Sequence, residues 1–309
     1  MDERAIALLR ARGWKPGEIL GSGMEGTVVD LSADEVAKVW HERRPADLEP
    51  LLRFGSALEQ SPIPFRCSRT IESLSEDSLT ITIEQKDTGR PLRLDAMTNA
   101  PVVTDEEIRL MSEALAGLSQ ADAGDLSALP ILPGEEPFLC TKSFGGSLAD
   151  LAGRRFTARP ELLRQAIGDI DKIFETLLRR LRDLPDPESK CLIHGDLIPA
   201  NVLIEDGEVA GVVDFGFLTT VGDPQFDAAI AASSFDMYGP NARRSENALS
   251  KAFSTRFGHD LSAYGLYRAA YAVITNSYFA TDSQDGHFRW CAQMLRREDV
   301  RDAIANPSN

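Results

Sequence analysis

A short segment in the second half of the chain carries side chains whose types and spacing suit phosphoryl transfer. The sequence LIHGDLIPANVLI places Asp196 and Asn201 five positions apart on a loop that follows a short strand, and a later strand ends at Asp214. The reaction needs a carboxylate to accept the proton of the attacking hydroxyl, and oxygen ligands to hold Mg2+ between the phosphates. We therefore predict Asp196 as the catalytic base and Asn201 and Asp214 as the magnesium ligands. His194 is expected to pack and hydrogen-bond beneath the loop.

A glycine-rich segment near the N-terminus reads GSGMEG, beginning at Gly21. Such a pattern occurs in dinucleotide sites, in phosphate loops of kinases and in plain turns. A dinucleotide site needs a helix directly after the glycines, whereas Thr27–Leu31 is strand-like. A loop between two strands fits a phosphate cover, in which backbone N–H groups approach the nucleotide. We predict that the nucleotide contacts four residues of this segment: Gly21, Ser22, Gly23 and Gly26.

A lysine interrupts the apolar strand that follows. Lys38 stands in the sequence VAKV, and a charge between apolar strand residues must find a partner or leave the core. In a phosphotransferase site, this lysine would reach the α- and β-phosphates while an acidic residue of the next helix holds it in place. Glu49 is the predicted partner, and Glu59 is the alternative.

The elements that must position these residues form two regions. Residues 19–40 and 78–84 have strand patterns, and residues 47–59 suit a helix with Asp47 as its N-cap. A small antiparallel sheet with one helix therefore occupies about residues 17–86. The remainder has mainly helical periodicity, with short strands near the catalytic segment. We predict an α+β fold with two lobes, an N-terminal nucleotide-binding lobe at 1–86 and a catalytic and acceptor-binding lobe at 87–309.

The net charge and the composition of the chain indicate which kinds of partner it binds and in which cellular compartment it lies. The formal net charge of −15 argues against nucleic acid or an anionic membrane surface as the main partner and favours a cationic one. The N-terminal sequence MDERAIALLRARGW lacks the apolar segment of a signal peptide, and no apolar run reaches the length of a membrane span. The cysteines match neither a zinc spacing nor a dense disulfide framework. We therefore expect a cytoplasmic protein with reduced thiols at Cys67, Cys140, Cys191 and Cys291.

Together these motifs resemble the aminoglycoside phosphotransferase family. The resemblance is specific in the segment His194–Leu197, with Pro199 and Asn201, and in the later segment GDPQFD that ends at Asp227. With the glycine-rich segment and Lys38 it extends over about residues 17–232.

The resemblance implies a protein-kinase-like fold, ATP or in some members GTP as donor, Mg2+, and a hydroxyl of a small molecule as acceptor. It also implies that adenine binds to the backbone between the lobes, around Glu84–Lys86, so both Glu84 and Lys86 are predicted cofactor-binding residues. Asp227 resembles an aspartate that braces the catalytic loop, and we expect a structural role for it.

Three other functions compete with this hypothesis. A protein kinase has a long activation segment after its D-F-G motif, whereas only five residues separate Gly216 from Gly222 here. A nucleotide-binding module without catalysis usually lacks one of the residues that this chain keeps. A metabolite kinase that acts on choline, homoserine, a sugar or a similar compound shares the same motifs and stays open.

The acceptor is expected to be a cationic antibiotic such as an aminoglycoside. Besides the resemblance, the net charge would concentrate a polycation near the cleft. The C-terminal region also contains carboxylates that could pair with ammonium groups, including Asp236, Asp260, Asp282, Asp285 and Glu298.

Overall fold

The computed structural model describes most of the chain. The described residues are 2–23, 25–41, 43–94, 97–121, 135, 143–278 and 282–306.

A five-stranded antiparallel sheet forms the N-terminal region. Its strands are β1 (Ile19–Ser22), β2 (Gly26–Asp30), β3 (Glu35–Trp40), β5 (Thr70–Glu76) and β6 (Leu79–Gln85). They lie in the order β1-β2-β3-β6-β5. The hairpin of β2 and β3 and the strand β6 confirm the sequence prediction. The alternating pattern of β5 was not recognised, because five of its seven side chains are polar or charged.

The two faces of this sheet have different surroundings. Ala37 and Val39 of β3 join a small core that includes Ile81, Ile83 and the apolar side of helix α1 (Glu3–Ala11). Because side chains alternate along a strand, Lys38 and its neighbours two positions away point to the opposite face. The sheet therefore buries one face under α1 and turns the lysine toward the catalytic loop.

Helix α2 (Pro45–Leu58) follows β3. The predicted N-cap at Asp47 is wrong: the N-cap is Arg44, and the Asp47 carboxylate accepts the Arg44 backbone N–H at 2.9 Å. Pro45 occupies the first turn, where its missing N–H costs nothing. The helix packs through Phe54 on Phe215, with ring centroids 5.4 Å apart, so it contacts the residue directly after Asp214.

The rest of the described chain is mainly helical, and its large core extends from α2 to the C-terminal helices. The helices are α3 (Asp105–Leu118), α4 (Phe144–Ala158), α5 (Glu161–Ala166), α6 (Ile170–Asp183), α7 (Pro224–Ser233), α8 (Ala242–Phe257), α9 (Leu261–Thr275), α10 (Gly286–Met294) and α11 (Glu298–Ala305). The α+β class is confirmed. No helix within the described ranges is both long and apolar enough to cross a bilayer.

Short strands hold the catalytic segment. β8 (Cys191–Ile193) pairs with β11 (Thr220–Gly222), and β9 (Val202–Glu205) pairs with β10 (Glu208–Val212). The latter pair is flanked by β4 (Arg66–Cys67) and β7 (Arg90–Pro91). Because β4 comes from the first 86 residues and pairs with β10, the two predicted lobes are joined by strand pairing. Their division at residue 86 stays a prediction.

The cysteines with described side chains, Cys67, Cys191 and Cys291, are free thiols. Cys140 lies outside the described residues.

Candidate functional site

The catalytic loop begins directly after β8 and makes a sharp turn at Gly195. This residue has φ +85°, and a Cβ there would lie 2.4 Å from the backbone carbon of Leu218. Only glycine fits the conformation and the space. His194 is 0% exposed. Its Nε2 lies 2.9 Å from the Val213 carbonyl, and its Nδ1 accepts the Asp196 backbone N–H at 3.2 Å. The predicted packing role of His194 is confirmed.

Asp227 braces the same loop from helix α7. Its two carboxylate oxygens accept the backbone N–H groups of His194 at 2.6 Å and of Gly195 at 2.8 Å. Burial raises the pKa of Asp227 to about 6, while the two N–H donors oppose that rise. The expected structural role is confirmed, because one side chain fixes two consecutive peptide units of the turn.

Asp196 stands at the end of this turn. Burial raises its pKa to about 7, and the negative charges of Asp214, Glu25 and Asp227 add to the rise. A carboxyl group with a pKa near neutrality is suited to take up and release a proton at physiological pH. The catalytic role of Asp196 stays a prediction.

The predicted magnesium ligands, Asn201 and Asp214, both follow Asp196 along the chain. Asn201 ends a short 3-10 helix (Pro199–Asn201), and its Nδ2 donates to the Asp196 carbonyl at 2.9 Å. This bond leaves the Asn201 amide oxygen available as a ligand. Asp214 follows β10 with φ +66°, and Lys38 lowers its pKa against the effect of burial. Amide and ionised carboxylate oxygens are the donors that Mg2+ prefers, so the residues fit the ion.

Lys38 connects the sheet to the catalytic segment. Its Nζ lies 2.5 Å from Asp214 Oδ1, across 176 positions of sequence. Burial alone would lower the lysine pKa, but the charges of Asp214, Glu84 and Glu25 outweigh it, so the pKa is raised. Lys38 is therefore a charged group fixed at the centre of the cleft, where phosphates would lie.

The predicted partner of Lys38 is wrong. Glu49 is 69% exposed and lies 3.8 Å from Arg53 of its own helix, while Glu59 pairs with Arg69 at 2.8 Å. The reason is the orientation of α2, whose packed side is apolar and carries Leu48 and Phe54. The carboxylates near Lys38 come instead from one strand, which carries Glu84, and from two loops, which carry Glu25 and Asp214.

Sequence reasoning missed one of these carboxylates, Glu25, and assigned the other two, Glu84 and Asp214, to different roles. Glu25 of the glycine-rich segment lies 3.9 Å from Lys38 and 2.5 Å from Arg43. Glu84, predicted to contact adenine through its backbone, turns its side chain toward Lys38 and accepts a hydrogen bond from Thr82 at 2.6 Å. The signal was present in the alternation of β6, which places Thr82 and Glu84 on the same face as Lys38.

The glycine-rich segment forms the turn between β1 and β2. Gly23 N–H donates to the Gly26 carbonyl at 2.9 Å. A Cβ on Gly26 would come within 2.5 Å of the Val39 carbonyl oxygen, so the strand β3 can lie close only because this residue is glycine. Ser22 hydrogen-bonds to Thr27 at 3.1 Å. Nucleotide contact by Gly21, Ser22, Gly23 and Gly26 stays a prediction.

The predicted adenine-binding segment is partly occupied by protein contacts. The Lys86 backbone N–H donates to the Asp34 carbonyl at 2.8 Å, and its Nζ donates to Asp30 at 2.7 Å. Lys86 therefore uses its amide donor to hold the turn before β3, and this N–H is not available to a base.

An aromatic cluster from the C-terminal region includes two tyrosines, Tyr238 and Tyr271, whose pKa values respond to the Asp196 charge. The Tyr238 hydroxyl lies 3.1 Å from Nδ1 of His287, whose ring stacks on Trp290 at a centroid distance of 5.8 Å. Tyr271 meets both rings edge-on. Burial raises the pKa of Tyr238 and Tyr271, and the Asp196 charge adds to both shifts. These hydroxyls therefore lie within electrostatic reach of the Asp196 carboxylate.

Four of the five C-terminal carboxylates proposed for ammonium groups bind backbone N–H groups instead. Asp236 accepts those of Ala100 at 2.8 Å and Asn241 at 2.6 Å. The others cap helices or turns through Ser262, Gln284 and Phe288, each at 2.8 Å. Glu298 is exposed in the first turn of α11. Capping explains these acids without a cationic ligand.

The fold and the site define a kinase-like phosphotransferase. The model of the phosphotransferase enzyme family matches residues 17–267, and the chain belongs to this family. It is therefore a phosphotransferase, as the sequence predicted. No curated protein matches the chain significantly.

Solved structures of similar fold cover nearly the whole chain. The GDP and kanamycin complex of APH(2")-IIIa has a TM-score of 0.62 at 16% identity, with 96% of this chain and 97% of that chain covered. The streptomycin and ATP complex of APH(2")-IIa gives 0.57 at 14%, covering 98% of both. The macrolide 2'-phosphotransferase MphH from Brachybacterium faecium gives 0.55 at 19%, covering 100% of both. The predicted protein-kinase-like fold is confirmed.

Proposed function

We propose that this protein is an ATP-dependent O-phosphotransferase that moves the terminal phosphate to a hydroxyl of a small molecule. One observation carries the proposal: Lys38 and Asp214 meet at 2.5 Å. This contact gathers a phosphate-binding cation, a magnesium ligand and the loop of Asp196 in one cleft. Those are the parts that phosphoryl transfer requires, because its catalysis consists mainly of positioning and charge stabilisation.

The reaction follows from the position of Asp196. Its ionised carboxylate accepts the proton of the acceptor hydroxyl while that oxygen forms a bond to the terminal phosphorus. The bond between this phosphorus and the bridging oxygen breaks, and ADP leaves with the electron pair. Because the pKa of Asp196 is raised to about 7, the group can later release the proton at neutral pH.

Asp214 and Asn201 would hold Mg2+, which neutralises phosphate charge when it is bound. The N–H groups of the turn from Gly21 to Gly26 would cover the phosphates, and Lys38 would bind the inner ones. We place the activity in the cytoplasm, where ATP and Mg2+ are supplied.

For the acceptor we propose a cationic antibiotic of the aminoglycoside type. Membership of the family supports this class, and similar folds have been solved with kanamycin and streptomycin. The net charge of −15 adds a general attraction for polycations.

A metabolite with little positive charge is the second candidate acceptor. Two observations favour it: capping occupies four of the five proposed carboxylates, and the side chains near Asp196 include the aromatic cluster of Tyr238, Tyr271, His287 and Trp290. Burial lowers the pKa of His287 to about 4, so its imidazole is neutral at pH 7. Tyr238 is exposed beside this neutral imidazole, and the pair suits a ring-shaped molecule at least as well as a polycation.

An ATP-consumption screen with purified protein separates these candidates. Aminoglycosides, macrolides and small amino-alcohols are each tested with Mg2+, with Asp196→Asn as the blank. A polycationic acceptor should give a kcat/KM that falls as salt rises, because screening weakens electrostatic steering. A neutral acceptor should show almost no salt dependence. Turnover by wild type that Asp196→Asn retains in full would overturn the proposed function.

A further inference from the structure

The centre of the cleft contains an ion pair that no part of the proposed reaction uses. Glu25 from the turn between β1 and β2 lies 2.5 Å from Arg43 Nη2 and 3.9 Å from Lys38 Nζ. The Arg43 side chain is 13% exposed and that of Glu25 is 21% exposed. One carboxylate therefore stands between two cations at the place where the glycine-rich turn faces the catalytic loop.

Both cations lie over the same rigid ring. Lys38 Nζ lies 4.1 Å from the centroid of the Trp40 indole, and Arg43 Cζ lies 5.1 Å from it. The indole is buried, and its Nε1 donates to Thr82 of β6 at 3.0 Å. Cation–π contacts hold both charges against a fixed surface. Arg43 is thus positioned by the sheet, as Lys38 is, rather than being a free surface arginine.

Arg43 also lies beside the predicted magnesium ligand. A Cβ built on Gly216 would be 3.9 Å from Arg43 Nη2, and the Arg43 charge is among those that lower the pKa of Asp214. Lys38 touches Asp214 directly. The guanidinium therefore lies on the Asp214 side of the cleft, toward the end of the nucleotide where transfer occurs.

The local backbone favours an anion next to Arg43. Arg43 directly precedes Arg44, the N-cap of α2, and the helix macrodipole disfavours positive charge at that end. Glu25 compensates for this charge in the structure described here. A phosphate would do so better, because a guanidinium binds phosphate oxygens in the same forked geometry and the phosphate carries more charge.

We propose that Arg43 binds the terminal phosphate of the nucleotide and that Glu25 is its counter-ion until the nucleotide arrives. The idea rests on the proposed function, since it assumes a triphosphate in this cleft. On binding, the Glu25 carboxylate leaves Arg43, because it would otherwise repel the phosphate. Arg43 thereby distinguishes the triphosphate from the diphosphate product.

The test compares the binding of ATP and ADP by calorimetry with Mg2+ present, for wild type and single variants. Arg43→Ala should weaken ATP binding about 10- to 100-fold, the worth of a charge-assisted pair, and ADP binding less than about 3-fold. Arg43→Lys should fall between, because the charge remains while the fork is lost. Arg44→Ala is the matched control, since Arg44 is exposed and pairs only with Asp47 among the described contacts. It should leave both affinities unchanged.

Glu25→Gln should change the affinity for ATP in the opposite direction to Arg43→Ala. Removing the competing carboxylate should tighten ATP binding about 2- to 10-fold at low salt, and the gain should vanish in the Arg43→Ala background. Equal loss of ATP and ADP affinity in Arg43→Ala, or weaker ATP binding in Glu25→Gln, would overturn the role of Arg43. If Arg43→Ala melts earlier than wild type, Arg43→Gln takes its place. Wild type that binds neither nucleotide would overturn the proposed function itself.

Discussion

The two sides of the cleft are held by different kinds of contact. On the catalytic side, backbone N–H groups and carbonyls bind neutral or buried side chains: His194 contacts the Val213 carbonyl, and Asp227 accepts two consecutive amides. On the glycine-rich side, the contacts are ion pairs among Lys38, Glu25 and Arg43 with Asp214. The backbone hydrogen bonds fix the geometry of the catalytic loop. In the ion pairs, a charged ligand can replace one of the two partners.

This difference suits the two tasks of a phosphotransferase. The group that accepts a proton must be in place before the substrates arrive, because catalysis depends on preorganised geometry. The cations that bind phosphates need a negatively charged partner both when the nucleotide is bound and when it is absent. Ion pairs achieve this, because a phosphate can replace a carboxylate on the same cation.

The largest expected effect lies on the catalytic side. Asp196→Asn should lower kcat by about 100- to 10,000-fold, the usual cost of losing a general base, while ATP affinity changes less than about 3-fold. Steady-state kinetics with an acceptor from the screen measure kcat, and calorimetry measures affinity. Asp206→Asn is the control, because Asp206 lies in an exposed turn with φ +51°, where asparagine is tolerated. A kcat for Asp196→Asn within threefold of the control would contradict the assignment.

The next effect concerns the brace of the loop. Asp227→Ala leaves the buried N–H groups of His194 and Gly195 without an acceptor. We expect a loss of about 3 kcal/mol in the free energy of unfolding, measured by urea denaturation. Asp227→Asn keeps one acceptor oxygen and should lose less. If Asp227→Ala unfolds at the wild-type urea concentration, the loop is held by other contacts.

A smaller effect should appear in the pH dependence of stability. The pKa of Asp196 is raised to about 7 by burial and then by neighbouring acids, so the folded state keeps a proton that the unfolded state has released above about pH 4. The group therefore lowers stability as pH rises from about 4 to 7. Without Mg2+ and nucleotide, Asp196→Asn should be about 1–2 kcal/mol more stable than wild type at pH 8, since water in the cleft screens part of the effect.

The advantage of Asp196→Asn should shrink as pH falls to 4 and below, because Asp196 of the wild type then becomes protonated in the unfolded state as well. Urea denaturation at several pH values measures it. A constant difference across this range would show that the stability effect does not come from titration of Asp196.

The sequence predicted the catalytic side well, because its contacts are local and its residue types are restrictive. A glycine with φ +85° and an aspartate five positions before an asparagine leave few alternatives. The position of Asp227 relative to the loop followed from the resemblance. The hairpin and the central strands were also predictable from their alternation.

The ion pairs of the glycine-rich side were harder to predict, because most of them depend on how elements rotate against one another. Nothing in the α2 sequence shows that Glu49 faces water while Phe54 meets Phe215. Likewise, Lys38 and Glu25 are thirteen positions apart in sequence, and their approach depends on the pairing of β2 with β3. The C-terminal carboxylates were less predictable still, because an aspartate before a helix can cap it instead of binding a ligand.

The smallest expected effect is that of Glu49, and it is best measured beside Glu25, the carboxylate that lies near Lys38. Glu49→Gln should change kcat and ATP affinity by less than about twofold, and the free energy of unfolding by less than about 0.5 kcal/mol. The Glu49 side chain is 69% exposed, and among the described contacts it pairs with Arg53 of the same helix. Glu25→Gln removes the same charge from the cleft and should alter ATP affinity. Calorimetry on the two variants under identical low-salt conditions makes the comparison. If Glu49→Gln weakened ATP binding tenfold while Glu25→Gln did nothing, α2 would have to turn its carboxylate toward Lys38 when nucleotide binds.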